Sequence, residues 1–178
     1  MHDSVWVGRI TMMFVFGCLC VVGCANKSAM RELSNHGLAL NKSRNTAFVV
    51  QTNDHQERSF DDENLIAALP ALRRLPQVKR LQLTGTSITD ASIARLGSLD
   101  YLQEIEVIDT AVTREGLLAL KDMPELHFLL VDGDRLTEAD LAAIQQALPS
   151  VDILVKQRLA PLYRFTQGPE RYRRVAPF

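Results

Sequence analysis

The sequence predicts a mixed α/β fold in which short strands and short helices alternate in stacked units. Three observations predict it. Apolar positions return every 24 residues between Val78 and Ala147: Leu81, Ile105 and Leu129 are in step, as are Leu83, Val107 and Val131. The first part of each unit alternates with period two, as in Leu81-Gln82-Leu83 and Ile105-Glu106-Val107, which is the mark of a strand. The second part spaces its apolar residues three apart, in the pairs Ile93 and Leu96, Leu117 and Leu120, and Leu141 and Ile144, which gives a short helix one buried stripe. A fixed period with fixed apolar positions means units that cannot bury their hydrophobic face alone and do so by stacking.

The chain opens with an address. Arg9 precedes an apolar run from Ile10 to Val22. As a helix this run rises about 20 Å, short of the roughly 30 Å hydrocarbon core. A secretory signal's hydrophobic stretch fits it better than a spanning helix. Val21-Val22-Gly23-Cys24 resembles the lipobox of bacterial lipoproteins. The resemblance implies a signal peptide over residues 1–23, cleavage before Cys24, and lipidation of Cys24 by thioether-linked diacylglycerol and an amide-linked chain. It implies a lipid-anchored protein of the cell envelope, with Ala25 after the cysteine favouring the outer membrane where one exists. An ordinary cleaved signal, giving a secreted protein, or a short uncleaved anchor are the alternatives. The cysteines are Cys18, Cys20 and Cys24, so a chain cleaved at Cys24 keeps one, and forms neither an internal disulfide nor a multi-thiolate zinc site.

Residues 24–46 are polar and read as a lipid-proximal tether. The repeat domain is expected over 47–155. Ala47 to Gln51 is a short β-prone run. Asp61-Asp62-Glu63 puts negative charge before Leu65, Leu69, Leu72 and Leu75, which suits a helix N-terminus. Phe48 to Leu75 reads as an atypical first repeat closing the end of the stack. In each full repeat Thr89, Thr113 or Thr137 stands where a helix N-cap is needed, and its hydroxyl can accept a free first-turn N–H. Asp90, Glu115 and Glu138 add favourable charge there. Pro76, Pro124 and Pro149 mark the returns from helix to strand.

Val78, Leu81, Leu83, Thr86 and Ile88, then Leu102, Ile105, Val107, Thr110 and Val112, then Leu126, Leu129, Val131, Asp134 and Leu136 resemble the leucine-rich repeat pattern, in its bacterial form with Thr in the turn and Ile-Thr-Asp before the helix. The resemblance covers roughly half the chain. It implies a short solenoid with parallel strands on the concave face and helices on the convex face, flanked by an irregular N-terminal cap and C-terminal tail. The family's turn Asn is replaced by Thr86, Thr110 and Asp134, which predicts a weaker hydrogen-bond ladder. Val151 lies 25 residues after Leu126, which predicts an irregular final strand over Ile153 to Val155.

The whole chain has 178 residues, 47% hydrophobic, with a net charge of −1, an ordinary composition for one folded domain plus extensions. That balance hides an asymmetry. Leu65 to Val155 holds 13 acidic and 8 basic residues, whereas residues 156–178 hold 6 basic and 1 acidic. The basic tail, expected to be flexible, can lie on the acidic body or on an anionic surface elsewhere.

No catalytic constellation emerges. The histidines are His2, His36, His55 and His127, scattered between signal, linker and surface; no serine elbow or phosphate-binding glycine loop is present. Asp132-Gly133-Asp134 suggests a calcium loop only superficially, because the pattern's final Glu is missing, and Asp-Gly suits a tight turn. Glu104 and Glu106 share a strand face, but solvated surface explains them better than acid–base work. No metal, cofactor or nucleic acid is implied. The better candidate is the strand face opposite the core. If Leu81 and Leu83 point inward, Arg80, Gln82, Glu104, Glu106, Ile108, Phe128, Leu130 and Asp132 point out. Ile108, Phe128 and Leu130 would then form an apolar patch rimmed by charge, the kind of surface that binds protein, unless Leu159, Leu162, Tyr163 and Phe165 of the tail fold back over it. The expectation is a non-catalytic protein-binding module in the envelope. The alternative is a structural spacer whose basic tail docks on membrane or polymer.

Overall fold

The computed structural model describes residues 26–42, 48–52, 59–157 and 171–175. Residues 1–25, with Cys24 among them, and 43–47, 53–58, 158–170 and 176–178 lie outside the described residues. The fold is mixed α/β around a mostly parallel sheet. Among the described residues seven strands pair in chain order: β1 (Leu38–Lys42), β2 (Phe48–Thr52), β3 (Val78–Gln82), β4 (Glu104–Val107), β5 (Phe128–Asp132), β6 (Asp152–Gln157) and β7 (Arg171–Arg174). Strands β2 to β6 run parallel, and the outer pairs β1–β2 and β6–β7 are antiparallel.

The register carries the 24-residue period into space. Leu81 pairs with Ile105, Ile105 with Leu129, and Leu129 with Ile153. All four are fully buried in one core. Burying side chains of this size contributes roughly 1.5–3 kcal/mol each before the cost of ordering the chain is subtracted. A single-residue slip would turn each of them to the opposite face, so this row holds the pairing in place.

The helices are α1 (residues 26–35), α2 (Asp62–Arg73), α3 (Asp90–Leu96), α4 (Arg114–Leu118, continued by a 3-10 turn to Asp122) and α5 (Glu138–Ala147). Helices α2 to α5 pack each against the next. Thr89, Thr113 and Thr137 are the N-caps of α3, α4 and α5, accepting from Ala91, Glu115 and Asp140 N–H groups.

A second polar device links these helix starts. The first residue of each of α2, α3 and α4 reaches across to the next unit. The Thr89 N–H and hydroxyl both donate to the Asp62 carboxylate. Those of Thr113 donate to Asp90 at 2.7 and 2.6 Å. Each hydroxyl thus donates to the preceding helix and accepts from its own, the Thr113 hydroxyl also lying 2.8 Å from the Glu115 carboxylate, satisfying groups that a helix N-terminus otherwise leaves free. In the third unit Arg114 replaces the aspartate and lies 3.7 Å from Asp140, which itself closes a capping box with Thr137. Glu138 then pairs with Arg173 of β7 at 2.7 Å. Partial burial pushes the Asp62 carboxyl up, but hydrogen bonds from Ser92 and Thr89 outweigh it and hold it below its ordinary value of 3.8. Gly116 makes room for this geometry in α4. A Cβ there would stand 2.2 Å from Asp90 Oδ1 and 3.0 Å from its Cα.

The structure corrects the sequence reading at both ends. Residues 26–42 are no tether: they form α1 and β1, and Ala29, Leu33 and Leu38 are buried in the core. The stretch is polar overall because only a narrow stripe of it turns inward. Part of the tail is folded as well. Arg171–Arg174 forms β7, and Val175 enters the core. The final parallel strand is regular and longer than expected, spanning Asp152–Gln157 in the same 24-residue register. The Val151 offset is taken up before the strand, where the buried Gln145 amide donates to the Leu148 and Val151 carbonyls.

Candidate functional site

The eight residues singled out on the strand face are brought together. Arg80, Glu104 and Phe128 form one cross-strand row, and Gln82, Glu106 and Leu130 the next. Ile108 and Asp132 follow at the C-terminal ends of β4 and β5. The rows continue onto β6, where Phe128 meets Asp152, Leu130 meets Leu154 and Asp132 meets Lys156. Sequence reasoning missed Asp152, Leu154 and Lys156, although the same 24-residue step from Phe128, Leu130 and Asp132 reaches them.

Polar side chains in these rows are held by one another. Arg80 is ion-paired with Glu104. Glu106 accepts from the Gln82 amide at 2.8 Å and the Thr84 hydroxyl at 2.9 Å. Asp152 pairs with Arg174 of β7 at 2.8 Å. Both carboxylates of β4 are therefore occupied in orienting their neighbours, and the arrangement presents a fixed pattern of donors and acceptors. Charged and hydrogen-bonded groups held this way favour recognition by matching groups on a partner.

The apolar part of the expected patch is not an open surface. Ile108 is 3% exposed and Leu130 8%, and only Phe128 of the three is half-buried. Both buried residues stand apart from the main core cluster. The physical reason for Leu130 is position. β5 is an inner strand, with Glu106 on one side and Leu154 on the other, so its central side chain is hemmed in from both directions.

A cleft of about 170 Å³ opens at the strand ends, lined by Ile108, Asp109, Asp132, Asp134 and Lys156. Asp109 has φ 53°, the same left-handed turn that Gly85 makes one unit earlier at 73°. Its N–H donates to Asp132 at 3.3 Å, and the Asp134 N–H donates to Asp132 at 3.1 Å. The Asp132-Gly133-Asp134 segment is thus engaged in its own turn. Among the described residues no three His, Cys, Asp or Glu side chains gather as a metal site. His127 is exposed, its Nδ1 3.2 Å from the Glu125 carbonyl.

The turn ladder weakens along the chain. Thr86 donates to the Leu83 carbonyl at 2.7 Å and Thr110 to that of Val107 at 3.5 Å, both buried. Asp134, at the third turn position, is exposed. Cys24 lies outside the described residues. Among the described residues no helix is long and apolar enough to cross a membrane. A scan of the chain against protein-family models finds no match, and a search of curated proteins finds none either.

Proposed function

We propose that this chain is a lipid-anchored envelope protein whose short leucine-rich repeat solenoid binds another protein through the helix-free, concave face of its sheet. The single observation that carries this reading is the alignment of Arg80, Glu104 and Phe128 beside Gln82, Glu106 and Leu130 on strands 24 residues apart. The burial of Ile108 and Leu130 shifts the expected contact from an apolar patch to a polar one centred on Gln82, Glu106 and Phe128. A partner would engage it with hydrogen-bonding and charged groups around one aromatic anchor. The spacer reading, with a docking basic tail, is less favoured. Arg173 and Arg174 are ion-paired with Glu138 and Asp152, which draws part of the tail's charge inward.

The test is crosslinking and co-purification from the native envelope. Gln82→Ala with Phe128→Ala should abolish partner capture, while Arg95→Ala on the exposed side of α3 should leave it intact. Equal capture by all three proteins would refute the reading.

A further inference from the structure

We propose that the exposed face of α1 is a docking surface for anionic phospholipid headgroups, so that the folded domain lies against the bilayer with no spacer between them. This rests on the lipid-anchor reading of Cys24. Helical structure is present from residue 26 and continues to 35. Two residues of chain span at most about 7 Å, less than the Debye length of about 8 Å at physiological salt. An acylated Cys24 would sit at headgroup level, so the start of α1 would be held within electrostatic range of the phosphates. Ala29 and Leu33 fix the rotation of the helix by entering the core. That rotation leaves Lys27, Ser28, Arg31, Ser34 and Asn35 exposed, a stripe with two cations and no carboxylate. The single acid among residues 26–35, Glu32, is ion-paired with Arg74 of the loop after α2. Lys27 and Arg31 lie one helical turn apart and face the same way. Length of linker and sign of charge therefore point to one occupant, the anionic lipid of the anchoring membrane.

The experiment uses the full processed protein, purified in detergent and reconstituted into vesicles of phosphatidylglycerol and phosphatidylcholine, or of phosphatidylcholine alone. Mass spectrometry of the N-terminal peptide first reports acylation of Cys24. An amine-acylating reagent then reports the accessibility of Lys27 against that of exposed Lys121. The expected result is a several-fold drop in Lys27 labelling in anionic vesicles relative to detergent, with Lys121 unchanged. Arg31→Gln should weaken that protection by about fivefold, the contribution of one cation at an anionic surface. Acylated Cys24 with Lys27 as reactive as Lys121 would overturn the proposal and leave the anchor reading standing. Equal protection in phosphatidylcholine alone would overturn the charge recognition. A Cys24 without lipid would remove the anchor reading and this proposal together.

Discussion

Replacing Gly116 by alanine should destabilise the protein, although the same change in an ordinary helix stabilises it. Gly116 is the third residue of α4 and is buried. Alanine in a helix interior is favoured over glycine by about 1 kcal/mol. Here the new Cβ would lie 2.2 Å from Asp90 Oδ1 and 2.8 Å from its Cγ, closer than atoms tolerate, so the carboxylate must swing away. It would then release the Thr113 N–H and hydroxyl, which it accepts at 2.7 and 2.6 Å. Hydrogen bonds to a charged acceptor contribute roughly 1.5–3 kcal/mol each. These are exposed, water can replace the acceptor, and the hydroxyl also reaches the Glu115 carboxylate at 2.8 Å, so about 2 kcal/mol for the pair is the fair figure. The net loss is about 1 kcal/mol after the propensity gain. In an Asp90→Ala background the carboxylate is already gone, and Gly116→Ala should be neutral to stabilising by up to about 1 kcal/mol. Urea denaturation of the four proteins closes the double-mutant cycle, and a coupling of about 1–2 kcal/mol is expected. Equal effects of Gly116→Ala in both backgrounds would refute the inter-helix bridge.

Three further outcomes follow from the same geometry. Leu33→Ala should cost about 2–5 kcal/mol in urea unfolding, because Leu33 is fully buried; a tether residue would show almost none. Asp109→Gly should raise stability by about 1 kcal/mol, since it relieves a left-handed side-chain-bearing residue that Gly85 already avoids, and an unchanged midpoint would deny the strain. Asp62 has its folded pKa lowered below 3.8, so its stabilising effect is fully present above that value and is lost as pH falls through the folded value. The stability difference between wild type and Asp62→Asn should therefore be largest near neutral pH and shrink in acid, and a gap that stays constant or widens below pH 3.8 would contradict the assignment.

Much of the sheet was legible because the 24-residue step appears in both sequence and register. Leu81, Ile105 and Leu129 announce adjacent strands, and their pairing follows. The threonine caps were legible for a local reason, since a capping hydroxyl acts within its own first turn. What lay beyond reach was contact across units. Asp90 reads as charge favouring its own helix, yet its carboxylate serves Thr113 in the next. Ser92, Gly116 and Asp140 occupy one phase and look unrelated in composition. In space the first hydrogen-bonds the neighbouring carboxylate, the second yields to it, and the third replaces it.

The candidate site was legible in outline for a related reason. Period-two alternation assigns a side chain to a face, and Arg80, Glu104 and Phe128, then Gln82, Glu106 and Leu130, fall in cross-strand rows as that assignment requires. Alternation carries no information about what stands on either side of a strand. The 25-residue step to Val151 predicts only an irregular strand over Ile153 to Val155, whereas β6 runs from Asp152 to Gln157 in full register and sets Leu154 beside Leu130. The same extension gives Asp132 a cross-strand neighbour in Lys156 and Asp152 an ion pair with Arg174. Local pattern thus supplies the direction of each side chain, and its neighbours on the adjacent strands decide its exposure. The proposed recognition surface depends on both: Glu106, held by Gln82 and Thr84, stays half-buried, whereas Leu130 beside it is closed off.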